Sequence, residues 1–215
     1  MAAARVILVS DTHLSASAPR AQANWDAVVS YVGACAPDLV IHLGDLSLDG
    51  ARSAVDLHHG RTQLDRLPAP WRAVPGNHDI GDNPWPGAPA GIAVDAARHQ
   101  RWLDIVGADH WSVTVSGWIV LAINAQLLGS GLEAEAAQWS WLQEQIGGHR
   151  GRQPVALITH KPVKGYSLNR SGMGSCSWSS PVLHGRFAAG RSRLGGWPQP
   201  LACGAGRGFL PASRS

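Results

Sequence analysis

Four short stretches of this 215-residue chain end in side chains that bind ions or move protons: Asp11-Thr12-His13, Gly44-Asp45, Gly76-Asn77-His78-Asp79 and His160. Each follows an apolar run, at residues 5–9, 39–43, 70–74 and 155–159. Carboxylate, amide and imidazole without thiolate form an oxygen and nitrogen donor set, which suits Mn, Fe, Zn or Mg better than a soft metal. Several such groups point to two divalent ions, with Asp45 placed by order to bridge them. Taken one at a time, these short patterns are common turn chemistry. Their weight comes from recurring in order, each after an apolar run.

The runs are too short for helices and read as buried strands. Between the first two, Trp25, Val28, Val29 and Val32 keep helical spacing until Pro37 blocks continuation, which predicts a helix over 21–35. A second helix is expected over 51–67, ended by Pro68, and a third over 93–106. Strand, helix, strand, helix, strand implies a parallel sheet with right-handed crossovers. Ligands then gather at the carboxyl ends of its strands, where all four stretches lie. Residues 110–115 and 118–124 around Ser116-Gly117 read as a hairpin that starts a second sheet. Residues 133–146 read as a helix ended by Gly147-Gly148, followed by a strand at 154–159. The Gly- and Pro-rich residues 80–91 read as a loop across the top of the site, with Trp85 a candidate for the substrate mouth. His42, His58, His59, His99, His110 and His149 read as packing or solvated histidines.

A composition of 45% hydrophobic and 15% charged residues describes an ordinary globular protein, and no apolar run approaches the roughly 20 residues that span a bilayer. The N-terminus reaches the first strand almost at once, so a cytoplasmic product is expected. Cys35, Cys176 and Cys203 are widely spaced and suggest neither a disulfide framework nor a zinc ribbon. The net charge of +3 is unevenly distributed: all 15 acidic residues precede residue 145, and 10 of the 18 basic ones follow it. From about residue 171 the periodicity fails in favour of Gly, Arg, Ser, Pro and Trp. This divides the chain into a domain over 1–170 and a basic tail over 171–215, either disordered or translated from a shifted frame of a GC-rich gene. Arg186, Arg191, Arg193 and Arg207 offer charge to nucleic acid, but no recognised module accompanies them, and nucleic acid is not expected as a partner.

In this order, D-x-H, G-D, G-N-H-D and a lone His, the chain resembles the calcineurin-like metallophosphoesterases over residues 5–160. The resemblance implies an α/β fold, an αββα sandwich of two mixed β-sheets flanked by helices, with the C-terminal part incomplete or disordered. It implies one metal on Asp11, His13 and Asp45 and a second on Asp45, Asn77 and His160. His78 would be the catalytic imidazole that is not a ligand, oriented by a hydrogen bond to Asp79, and Asn77 and His78 would also touch substrate. The implied substrate is a small phosphate ester. Asn124-Ala125-Gln126-Leu127 and Gln138-Trp139-Ser140-Trp141-Leu142 are similar to the bacterial cyclic-nucleotide phosphodiesterase branch, making a 3′,5′-cyclic nucleotide the finer candidate. The family's later G-H-x-H is not found after His160, and His184 replaces at most one of its histidines. A truncated member that binds metal or phosphate without turnover is therefore the alternative. The coding DNA tests the shifted frame: an alternative frame near codons 165–180 should encode G-H-x-H, and its absence from both frames would exclude the idea.

Overall fold

The computed structural model describes residues 4–84, 89, 91–148 and 153–161. The expected boundary near residue 170, the basic tail over 171–215 with His184, and Trp85 lie outside the described residues. Among the described residues, six strands form two three-stranded sheets. β1 (Val6–Val9), β2 (Leu39–His42) and β3 (Trp71–Ala73) pair in parallel in that order, with Val6 opposite Leu39 and Val40 opposite Trp71. β4 (Trp111–Val115) and β5 (Trp118–Ala122) form the expected hairpin around Ser116-Gly117, and β6 (Val155–Ile158) runs parallel to β5. The second sheet is therefore mixed, while the described strands of the first are all parallel.

Side-chain alternation along β2 and β5 shows how the layers stack, because successive strand residues face opposite sides of a sheet. On β2, Val40 joins Trp25, Val32, Leu57, Leu64 and Trp102 in a core beneath the helices, while Leu39 and Ile41 join Val74, Trp111, Val120 and Ala122 between the sheets. On β5, Val120 and Ala122 face the first sheet, and Ile119 and Leu121 pack with Leu142. The order is helices, sheet, sheet, helix: the α/β, αββα sandwich read from the sequence. α1 (Gln22–Cys35), α2 (Ala54–Leu64) and α4 (Ala96–Ile105) cover one side, and α5 (Glu133–Gly148) the other.

Element ends differ from the sequence reading where a polar contact takes over the backbone. α2 begins at Ala54 and not near residue 51, because Ser53 caps it through Asp56 N–H while the Arg52 and Ser53 amides bond back to the Asp49 carbonyl. α4 begins after Asp95, whose carboxylate accepts from Arg98 N–H at 2.8 Å. β5 stops at Ala122, since Asn124 leaves the sheet to cap a 3-10 turn over Ala125–Leu127. α5 runs through Gly147 and Gly148, which the sequence reading took as its end. Residues 77–80, read as a strand end running into the loop over 80–91, form one helical turn, α3 (Asn77–Ile80). Among the described residues no helix is long and apolar enough to cross a membrane.

A buried polar knot joins α4, β4 and the segment after β5. Asp109, 2% exposed, accepts from His99 Nε2 and His110 Nδ1 at 2.7 Å each and from Asn124 Nδ2 at 2.8 Å. Burial alone would raise its carboxyl, but the hydrogen bonds from His110, His99 and Asn124 outweigh that and hold it well below the usual carboxylate range. A depressed folded-state value contributes stability that is complete above the ordinary value of 3.8 and is lost as pH falls through the folded value. Asp109→Asn should therefore lower stability by about 2 kcal/mol at neutral pH. In urea unfolding the gap to wild type should hold above pH 4 and narrow below it; a gap independent of pH would contradict the assignment.

Candidate metal centre

The first three motif-bearing segments leave the carboxyl ends of parallel strands in the first sheet, whereas His160 follows β6 of the second sheet and not a further strand of the first. It joins the group because the sheets pack against each other. Ladder-like bonds continue past the strand ends, with Asp11 N–H donating to Gly44 O, His13 N–H to Asp45 O and Leu14 N–H to Leu46 O at 2.8–3.0 Å. They draw the loops after β1 and β2 into register beyond the sheet. Asp11, His13 and Asp45 adopt φ of 55°, 45° and 53°, in the left-handed region that side chains avoid. Only Ala36 and Ser116 share that region among the other described non-glycine residues, one ending α1 and the other in the hairpin turn. The turns thus bring three candidate ligands together at some cost in backbone strain.

Asp45, 4% exposed, is the centre of the group. Its Oδ1 accepts from His78 N–H at 2.9 Å and lies 3.5 Å from His160 Nε2, while its Oδ2 lies 3.9 Å from His13 Nε2. Asp11 Oδ1 is also 3.9 Å from His13 Nε2. These N···O separations exceed those of a good hydrogen bond. They match the roughly 3–4 Å between two atoms that each bind one ion at 2.0–2.2 Å. Among the described residues, two triads have one ligand atom per residue within 4.8 Å of the others, His13 with Asp45 and His78, and Asp11 with Asp45 and His160. Asp45 belongs to both. His13 Nδ1 is buried and meets no hydrogen-bond partner among the described residues; with Nε2 turned to the carboxylates it is the proton-bearing nitrogen, which a water would satisfy. The donor set and its spacing fit divalent ions.

The histidines are oriented by carbonyls, which can only accept. His160 Nδ1–H donates to Leu43 O at 3.0 Å and turns Nε2 toward Asp45; His78 Nδ1–H donates to Leu48 O at 2.7 Å. Orientation of this kind sets the tautomer of a ligating or proton-donating ring. His78 packs edge-on to His13, with ring centroids 4.5 Å apart. Asn77 opens α3 and lines the cavity beside His78. Two glycines are required by close approach: a Cβ on Gly76 would stand 2.1 Å from Asp45 Oδ1, and one on Gly44, at φ 107°, would stand 2.6 Å from His160 Nδ1.

Asp79 corrects the sequence reading. It makes no hydrogen bond to His78; it is fully buried and accepts from Leu46 N–H (3.1 Å), Ser47 N–H (2.8 Å), Ser47 Oγ–H (2.6 Å) and Gly76 N–H (2.9 Å). The one-turn helix causes the change, because its third residue points back at its own N-terminus and the neighbouring loop, and not along the sequence at His78. Burial pushes the Asp79 carboxyl up from its ordinary range, against the pull of these four donors.

His42, read as a packing residue, has a positioning role that the sequence pattern did not reveal. Gly44 N–H donates to its Nδ1 at 3.3 Å, so Nε2 carries the proton toward Thr12 Oγ1 at 2.9 Å, and Thr12 in turn donates to Leu46 O at 3.1 Å. Burial lowers the pKa of this imidazole to about 3, the Asp11 charge pulls it up, and His160 and His13 push it further down. The ring is therefore neutral near neutrality. Lys161 forms an ion pair with Asp82, tying the segment after β6 to the one after α3. The signals for both were faint: a histidine two residues before G-D, and a lysine directly after the lone histidine.

The calcineurin-like phosphoesterase profile matches residues 4–188. The chain belongs to the calcineurin-like phosphoesterase family. No curated protein matches it in sequence. A purple acid phosphatase from yellow lupin (Lupinus luteus) seeds is 15% identical over 73% of this chain, with a TM-score of 0.49. This chain spans 30% of the lupin enzyme's length. A dimetal phosphatase from Danio rerio is 14% identical over 74% of this chain and 69% of its own, with a TM-score of 0.50, a likeness of fold. Within the calcineurin-like fold, Asp79 has a testable task, holding two loops together. Asp79→Ala leaves four buried donors without their acceptor and should cost about 3 kcal/mol in urea unfolding. Metal affinity should fall with stability, because Asp45 moves with the loop. Unchanged stability with only an altered pH profile would restore the role of orienting His78.

Proposed function

We propose that this chain is a metal-dependent phosphoesterase that cleaves a phosphodiester, or a phosphomonoester, at the edge where Asp11, His13, Asp45, Asn77, His78 and His160 gather. Family membership supports the hydrolase class. The observation that carries the site is Asp45, with one carboxylate oxygen turned to His160 and the other to His13. In this reading Asp11, His13 and Asp45 hold one divalent ion and Asp45, Asn77 and His160 the other, the metal being Mn, Fe, Zn or Mg. When bound, the ions supply Lewis acidity to the phosphoryl group and an activated water.

The chain's own groups do the rest. Asp45 is fixed by the His78 amide and by the contact with Gly76, so its two oxygens keep their directions. The Leu43 carbonyl keeps His160 Nε2 aimed at the centre. The Leu48 carbonyl holds the His78 Nδ1 proton, leaving Nε2 to carry a second proton and pass it to the leaving oxygen. Asn77 and His78 also contact the substrate, and both line the adjoining cavity. The likeness of the stretches Asn124–Leu127 and Gln138–Leu142 to the cyclic-nucleotide branch keeps a 3′,5′-cyclic nucleotide as one candidate substrate.

The purified chain should hydrolyse bis-p-nitrophenyl phosphate with added Mn²⁺. His78→Ala should lower kcat by about 100-fold or more, with Mn²⁺ binding retained, and Asp45→Ala should abolish both. Calorimetric titration should show two Mn²⁺ ions per chain. Two tight ions without turnover would favour the impaired family member; neither ions nor turnover would overturn the proposal.

A further inference from the structure

His78 faces two environments. Its ring edge meets His13, on the side of the ion-binding set, and together with Asn77 it lines a cavity of about 500 Å³. Asp11, His13, Asp45 and His160 take no part in lining that cavity. A group inside it therefore meets the reacting centre at His78 and Asn77. This is where the outgoing part of an ester must lie if His78 protonates its oxygen. Leu48, Ala51 and Ile92 give the cavity apolar walls, and its volume suits a ring-sized body better than a methyl group.

The charged groups on the wall differ in what they have left to offer. Arg98 donates to the Ala51, Ala93 and Gly91 carbonyls through Nε and both terminal nitrogens, so it is part of the frame. Asp82 is paired with Lys161. Arg52, its side chain 66% exposed, makes one long contact of 3.4 Å to Asp49 Oδ1 among the described residues. A guanidinium has five N–H donors in a fixed fork, so most of this one remains available to an anion.

We propose that this cavity is the leaving-group subsite, that it takes an apolar, ring-sized leaving group bearing an anionic substituent such as a carboxylate or a phosphate, and that Arg52 selects for that substituent. The inference rests on the phosphoesterase reading, with His78 as the group facing the leaving oxygen, and it selects an acyclic ester over a 3′,5′-cyclic nucleotide, whose leaving oxygen carries no second anionic group. Arg52 contacts substrate and moves no proton, so its signature is a change in preference between esters.

Methyl p-carboxyphenyl phosphate and methyl p-nitrophenyl phosphate, assayed with Mn²⁺, separate the charge from the ring. Arg52→Ala should lower the ratio of their kcat/KM values, carboxylated over nitro, about fivefold, and Arg52→Lys should recover part of the loss. Ile92→Trp, which narrows the cavity, should weaken both esters while the inhibition constant of inorganic phosphate stays put. An unchanged ratio in Arg52→Ala, or a phosphate constant that shifts with the esters in Ile92→Trp, would overturn the subsite. Ligand-observed NMR titration of metal-free protein with p-carboxyphenyl phosphate and p-nitrophenyl phosphate gives a readout without turnover. Arg52→Ala should there weaken only the carboxylated compound, and equal weakening of both would count against the proposal. If neither ester turns over, the phosphoesterase reading fails, and the NMR arm alone decides the subsite.

Discussion

The centre depends on one buried carboxylate, and it is not one of the proposed ligands. Asp79 sits between the loop after β2 and the turn that begins α3, and it takes hydrogen bonds from both: Leu46 and Ser47 on one side, Gly76 on the other. Burying a carboxylate costs several kcal/mol unless its lone pairs are satisfied. Four donors offset that cost only when both loops are in place. The carboxylate therefore couples the two loops, and that coupling presses Gly76 against Asp45 and turns the His78 amide to its Oδ1.

Around that joint the site is held by contacts that leave little freedom. The left-handed turns at Asp11, His13 and Asp45 are kept by ladder bonds that extend the β1 and β2 pairing past the sheet edge. The neutral His42 imidazole, with Thr12, closes the gap between those same loops from beneath. Carbonyls of Leu43 and Leu48 set the rings of His160 and His78. A preformed arrangement of this kind is what a pair of cations requires, since carboxylates and imidazoles brought close without orientation would form hydrogen bonds with one another instead. The distances of 3.5–3.9 Å between these groups show that they have not done so.

Much of this fold was legible because its signals are local. Apolar runs of four or five residues leading into Gly, Asp, Asn or His mark strands whose carboxyl ends carry polar loops, and β1, β2, β3 and β6 all follow that pattern, although only β2 is buried throughout; Leu8 of β1 and Val155 and Leu157 of β6 are exposed. Trp25 and Val32 at helical spacing placed α1, and Ser116-Gly117 placed the hairpin. Element ends were read less well, since a cap such as Ser53, Asp95 or Asn124 draws two or three residues out of a helix or strand.

The sequence by itself determined which groups could meet: an oxygen and nitrogen donor set at consecutive strand ends, the layered architecture and the family. Only the tertiary structure decided what each neighbour of those groups does. Asp79 follows His78 in the chain yet serves Leu46 and Ser47, more than thirty positions away, because a helical turn reverses its direction. His42 resembled an ordinary strand residue until its two nitrogens were seen to bridge different loops. The cavity beside His78 draws its wall from the segment before α2, from α3 and the residues after it, and from the segment that leads into α4, and no stretch of sequence contains it. Partners separated by tens of residues leave no periodic trace, and their roles become visible only when packing brings them within hydrogen-bond reach.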